Sequence, residues 1–382
     1  MKNFSKILAL VLTVFLSAMT MTSCGRILGN TGSNPVQSSF VPVNSAPAQE
    51  SRPYIAVISK GFQHQFWQTV MAGSKDAAAR YNVDMTFDGP PSESDISIQV
   101  DMLKAAMAKN PSAIALAALD TESVIPQLNE LKEKNIPVIG FDSGIPDAPG
   151  GTILATASTD NENAGKLAAE SMFADPSFQE ALNKATDENP VVIAVASQDA
   201  TSASIVGRTV GFVDQMLTSC ETLFPGKVAV TGHNKYSKAS AEKAAVEIFV
   251  IIPPSSRLSD AKAAIEKVLN MKGLIAIFAT NESTVGGILA ATSDGSDLDR
   301  VNGKYKDITV VGFDAGKAHK TAVKNGWFLG SITQDPYMIG YLAVELAYKA
   351  YKGEQVTDCD TGCMFYNAEN MEKPDIEQLL YD

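Results

Sequence analysis

Three apolar runs occur twice in the chain, in the same order each time. Ile55-Ala-Val-Ile-Ser59 returns as Ile193-Ala-Val-Ala-Ser197, Ile114-Ala-Leu-Ala-Ala-Leu-Asp120 as Ile275-Ala-Ile-Phe-Ala-Thr-Asn281, and Val138-Ile-Gly-Phe-Asp-Ser-Gly144 as Val310-Val-Gly-Phe-Asp-Ala-Gly316. One such match carries little, because buried strands resemble one another. Three in register argue for two lobes built to one plan. The runs are short and alternate with stretches of helical periodicity, as parallel strands joined by crossover helices require. Strands are expected at Tyr54–Ser59, Ala113–Leu119, Pro137–Phe141, Ile153–Ala157, Val191–Ser197, Val246–Ile252, Leu274–Ala279, Ile308–Phe313 and Phe328–Thr333, with helices such as Phe66–Tyr81, Ile96–Lys109 and Ala261–Asn270 between them. The expected class is α/β, two similar doubly wound parallel-sheet lobes with helices on both faces.

In such sheets ligands lie beyond the carboxyl ends of the strands. The repeat puts Asp120 and Asp142 there in the first half, and Asn281 and Asp314 in the second. Capping the next helix is an ordinary task for these residues and accounts for Asp120 equally well. Asp142 and Asp314 are each followed two residues later by glycine, which frees the backbone to turn. A cleft lined this way suits a polyol, whose hydroxyls need paired donors and acceptors and whose C–H faces pack on flat rings. Phe66 and Trp67 supply a stacking wall, one ring expected in the helix core and the other in the cleft. Arg208 offers a planar fork of donors, Asp142 and Asp314 offer acceptors, and Asn281 and Gln334 offer both. Composition alone would leave Arg208 and Gln334 solvated on the surface.

The chain begins like an exported one. Lys2 and Lys6 precede an apolar run from Ile7 to Ala18 that is too short to span a bilayer as a helix. Met21-Thr22-Ser23-Cys24 then resembles the lipobox of bacterial lipoproteins, with Met21 in place of the usual Leu, which implies lipidation of Cys24 and anchoring to the outer face of the cell membrane or in the periplasm. Residues 24–51, poor in charge and rich in Ser, Asn, Pro and Gly, read as a flexible tether after a signal peptide at 1–23. Export permits a disulfide between Cys359 and Cys363.

From Tyr54 onward the chain resembles sugar-binding proteins of the ribose-binding family, the type I periplasmic-binding fold. The segments that carry the resemblance are Gln63-His-Gln-Phe-Trp67, Pro137-Val-Ile-Gly-Phe-Asp142, Gly207-Arg-Thr-Val-Gly-Phe212, Ala279-Thr-Asn281, Val310-Val-Gly-Phe-Asp314 and Ser331-Ile-Thr-Gln-Asp-Pro336. The resemblance implies that Phe66 and Trp67 stack on the ligand, and that Asp142, Arg208, Asn281, Asp314 and Gln334 bind its hydroxyls. His64 falls at a frequent polar contact. Ser143 stands where ribose binders carry a basic residue, and the connection Ser219–Lys243 and the loop Val250–Arg257 also depart, so ribose itself is not the expected guest.

The fold so implied has a three-stranded hinge, with crossings near Thr159–Asn161, Gln334–Pro336 and Asp358–Thr361, an N-terminal lobe of 52–159 plus 335–358, and a C-terminal lobe of 160–334 plus 359–382. The expected function is the solute-binding component of an ABC importer for a small neutral sugar or polyol, working as a monomer with a membrane permease as partner. A receptor accessory for chemotaxis or signalling differs only in that partner. An exported sugar-active enzyme using Asp142 and Asp314 would lack a nucleophile elbow, a metal cluster and a phosphate loop. No cofactor or metal is expected, since the three His are scattered. A net charge of −12 weighs against a nucleic-acid partner, and the N-terminus has a signal in place of the helix-turn-helix of lac-repressor-type regulators.

Overall fold

The computed structural model describes residues 52–238 and 243–381; the signal, the tether and Cys24 lie outside the described residues. The chain runs through β1 (Tyr54–Ile58), α1 (Gln65–Tyr81), β2 (Asp84–Asp88), α2 (Ile96–Met107), β3 (Ala113–Leu116), α3 (Ile125–Glu133), β4 (Val138–Phe141) and β5 (Ala155–Ser158). Parallel ladders set these strands in the order β2-β1-β3-β4-β5. A second series follows: α4 (Asn161–Phe173), α5 (Pro176–Leu182), β6 (Val191–Ala196), α6 (Ala203–Leu223), β7 (Val228–Gly232), β8 (Val246–Ile251), α7 (Leu258–Leu269), β9 (Leu274–Ala279), α8 (Glu282–Ala291), β10 (Thr309–Phe313), α9 (Lys317–Lys324) and β11 (Gly330–Gln334). Its strands lie in the order β7-β8-β6-β9-β10-β11, all parallel. The chain closes with α10 (Pro336–Tyr351), β12 (Cys359–Asp360), β13 (Cys363–Tyr366) and α11 (Pro374–Glu377).

The two sheets share one doubly wound order, and β7 is an extra edge strand on the second. The sequence repeat is therefore a repeat of place. Its first copies lie on β1, β3 and β4, its second on β6, β9 and β10, the same three central positions of each sheet. Those strands are apolar because helices cover both of their faces; every residue of β3, β4, β6 and β10 is buried.

Two helix pairs repeat as well. α1 packs on α10 beside the first sheet, and α4 packs on α6 beside the second. Each crossing is made by glycines facing backbone, Gly73 and Gly340 in one pair and Gly165 and Gly211 in the other, where a side chain would run into the opposite helix. The second crossing fixes α6 where Arg208 reaches the strand ends.

Most elements fall where the sequence puts them, with ends shifted by up to three residues in either direction. β3 stops at Leu116, and Ala117–Leu119 leave the ladder while staying buried. β2, β7, β12 and β13 were not anticipated. β2 is polar and half-buried at a sheet edge, which removes the apolar signal. The chain passes between the sheets three times, from β5 to α4, from β11 to α10 and from β12 to β13. The last passage lies just past the expected break at Asp358, because β12 still pairs with β5.

One expectation is corrected there. Cys359 and Cys363 are free thiols, not a disulfide. The first is held in a ladder of the first sheet and the second in an antiparallel ladder with β11 of the second, so the passage between them carries the chain from sheet to sheet. No helix among the described residues is long and apolar enough to cross a membrane.

Candidate functional site

The carboxyl ends of both sets of strands open onto one hollow. Lys60, His64, Phe66, Trp67, Glu93 and Asp142 line it from the first sheet's side, and Ile205, Arg208, Asn281, Glu282, Asp314 and Gln334 from the second's. Eight of the nine residues expected to bind ligand are thus brought together. The ninth, Ser143, is buried next to the hollow, and its hydroxyl accepts from the backbone N–H of Ser204 at 3.3 Å. Asp120 is elsewhere: its Oδ1 accepts from the N–H groups of Glu122 and Ser123, closing a turn ahead of α3, whose N-cap is Val124.

Asp142 and Asp314 occupy equivalent places in the two halves. Each follows the fourth strand of its doubly wound order, donates its backbone N–H to the fifth (Ala157 O at 3.0 Å, Ile332 O at 2.7 Å), and has left-handed backbone, with φ of 54° and 79°. Non-glycine residues avoid that region. Its appearance at both strand ends marks positions where surrounding structure holds a carboxylate in a set direction.

Arg208 is 3% exposed and Gln334 2%, so the expectation of solvated surface residues is overturned. The guanidinium stacks on Phe313 at 3.8 Å from its ring centre, donates from Nε to Asn161 Oδ1 at 2.8 Å, and donates from its two terminal nitrogens to Thr280 O and Gln334 Oε1, each at 3.0 Å. Gln334 passes the interaction on, donating to Asp314 Oδ1 at 2.8 Å. Asp314 Oδ2 accepts from the N–H of Glu282 at 3.0 Å. Burial still holds the Asp314 carboxyl above its ordinary value, against the pull of Arg208 and these hydrogen bonds.

On the first sheet's side Lys60 and Glu93 were missed. The Lys60 ammonium lies 2.9 Å from Asp142 Oδ2, donates to Ser204 Oγ at 2.9 Å and sits over the Trp67 ring. Burial lowers its pKa, but Asp142 and Glu93 outweigh that and leave it above 10.5. Glu93 accepts from Trp67 Nε1 at 2.7 Å and from Gln198 Nε2 at 3.1 Å. Burial would raise its pKa; Lys60, His64 and these donors hold it below 4.5.

A signal for Lys60 was available. It directly follows the first copy of the first repeat, as Gln198 follows the second, and both are buried at the cleft. Glu93, in a Pro- and Ser-rich loop, had none. The stacking wall also differs from expectation: Phe66 and Trp67, set edge to face with centres 5.0 Å apart, both line the hollow and both join the core.

The Glu93 shift has a testable sign. A carboxylate held below 4.5 contributes stability above that pH, and the contribution disappears as pH falls through the lowered value. Denaturant unfolding of wild type and Glu93→Gln is expected to differ by about 1–3 kcal/mol at neutral pH, with the gap closing well below pH 4.5. A gap that persists in acid would contradict the assignment.

As a whole the site offers forks of donors and acceptors beside two aromatic rings. Two cations face four carboxylates, so it favours uncharged, hydroxyl-rich guests over anions. Free space at its centre is about 20 Å³, room for one water molecule. No group of His, Cys, Asp or Glu among the described residues is arranged to hold a metal ion.

Comparison with known proteins bears on this geometry. The family model described as periplasmic binding protein domain matches residues 55–355. A D-ribose/D-allose-binding protein of Pseudomonas aeruginosa is 21% identical over 348 residues, which cover 89% of this chain and 91% of that protein. Among solved structures, a Brachyspira murdochii protein titled ABC transporter, LacI family transcriptional regulator is 39% identical with a TM-score of 0.70, over 87% of this chain and 99% of that one. An Agrobacterium vitis ABC transporter solute binding protein with bound D-fucose is 28% identical with a TM-score of 0.70, over 86% and 100%.

Proposed function

Since the chain belongs to the periplasmic binding protein domain family, we propose that it is the solute-binding component of an ABC importer, taking one small neutral sugar or polyol into the hollow between its lobes. The observation that carries this reading is the convergence of Asp142 and the Phe66–Trp67 wall from one half with Arg208, Asn281, Asp314 and Gln334 from the other. The neutral sugars named for the Pseudomonas aeruginosa and Agrobacterium vitis proteins support the same class here. The protein is a binding protein and not an enzyme, in line with these relatives.

The arrangement supports closure on the guest. Only the closed form presents both sets of polar groups to the guest, so the guest favours that form by its differential affinity. The hinge would be formed by the three passages between the sheets, dividing an N-terminal lobe that keeps β12 (52–159 plus 335–360) from a C-terminal lobe (160–334 plus 361–382); the membrane permease then recognises the closed form. Export and lipidation at Cys24 would keep the receptor at the membrane, with residues 24–51 as its leash.

Thermal-shift screening tests the reading, because a guest that binds only the folded protein raises Tm by mass action. One or a few neutral monosaccharides or polyols are expected to raise it by several degrees. Sugar acids and sugar phosphates are expected to leave it unmoved, since four carboxylates already face the hollow. A flat response to the neutral panel, with a shift from anions or peptides, would remove the assignment.

A further inference from the structure

Across the cleft, the starts of two helices meet groups from the opposite half. α1 begins at Gln65 and its N-cap residue, His64, makes no side-chain capping bond. Its first backbone N–H groups, those of Gln65 and Phe66, instead face the Glu282 carboxylate from the start of α8. The exchange is returned at α9, whose N-cap is Gly316 and has no side chain to offer. There Gln65 Oε1 accepts from the N–H of Lys317 at 2.8 Å. Helix N-termini leave such donors without partners, so α9 gains from the Gln65 oxygen supplied across the cleft, and the start of α1 gains from a nearby negative charge.

A second contact joins the halves at the cleft mouth. The loop after β8 carries Ser256, whose N–H donates to Ser94 Oγ at 2.6 Å and whose hydroxyl meets Ser94 Oγ at 2.9 Å and Ser92 Oγ at 3.0 Å. This is the loop that departs from the ribose-binding pattern. Neither Gln65 nor Ser256 lines the hollow.

We propose that Gln65 and Ser256 are affinity-determining residues that never touch the guest: with Glu282 they clasp the closed form and raise its population in the sugar-free protein. The inference rests on the sugar-binding reading above. Apparent affinity scales with the fraction of molecules already competent to bind, so loosening the clasp weakens binding in proportion.

The test compares the full chain with the double variant Gln65→Ala/Ser256→Ala and with Gln65→Glu, using the neutral sugar that gives the largest thermal shift. The double variant is expected to show Kd raised about tenfold, with faster sugar release, and a larger small-angle-scattering radius of gyration without sugar but the wild-type radius when saturated. Gln65→Glu keeps the acceptor for Lys317 but sets a second carboxylate near Glu282, so it is expected to restore only part of the Gln65 share. Unchanged Kd and release rate would overturn the inference and leave the sugar-binding reading standing, and so would a raised Kd with an unchanged sugar-free radius. The sugar-free comparison needs no ligand, so it reads the clasp even if no sugar binds, the outcome that would instead remove the reading beneath it.

Discussion

Arg208→Met is expected to weaken sugar binding by about 100-fold or more while leaving the two-sheet fold in place. The guanidinium holds Asn161, Thr280 O and Gln334 at once, and through Gln334 it orients Asp314. Hydrogen bonds to charged groups are worth about 1.5–3 kcal/mol each, and about 1.4 kcal/mol is a factor of ten in affinity. Losing two that bear on the guest amounts to about 3–6 kcal/mol, a factor of about 100 to about 20,000. Asp314 would also lose the cation that opposes its burial, and its carboxyl would rise further above the ordinary value. Arg208→Lys is not expected to rescue, because an ammonium lacks the planar fork that spans these partners and stacks on Phe313. Isothermal titration calorimetry checks both variants; affinity within a few-fold of wild type for Arg208→Met would sink this account of the second half.

The other large effect concerns stability as well as binding. Asp142→Ala leaves the Lys60 ammonium, 3% exposed, without the carboxylate 2.9 Å away. Removing one partner of a buried pair costs about 3–5 kcal/mol when the remaining charge is uncompensated; Glu93 still faces Lys60, so the expected cost lies toward the lower end of that range. Removing both is nearly neutral by the same reasoning. Lys60→Met added to Asp142→Ala is therefore expected to recover part of the lost stability in denaturant unfolding, the rest being the cation taken from Glu93, while sugar binding stays absent. A single variant as stable as wild type, or a double variant less stable than the single, would show that Lys60 and Asp142 are not coupled.

The fold was legible because its constraint is repeated. Apolar runs for β1, β3 and β4 recur for β6, β9 and β10, and buried parallel strands admit few other residues. Edge strands escaped notice for the complementary reason: β2 is half solvated and reads Asp-Met-Thr-Phe-Asp, without an apolar run. In the site, Asp142 and Asp314 were visible as strand-end residues of the repeat, whereas Arg208 and Gln334 became visible only through family resemblance. Burial of a guanidinium depends on which helix face the Gly165–Gly211 crossing turns inward, a tertiary fact with no local signature. Glu93 was invisible for a similar reason, since its partners Trp67 and Gln198 are distant in sequence. The cysteine pair misled because spacing says nothing about which ladder each residue joins.

A crystal structure of the protein with the neutral sugar that most raises its Tm tests the central claim most directly. The account predicts a single ring packed on Phe66 or Trp67, with hydroxyls bound by Asp142 from one half and by Arg208, Asn281 and Asp314 from the other. A sugar held by one half alone, or seated outside the space these side chains enclose, would contradict it.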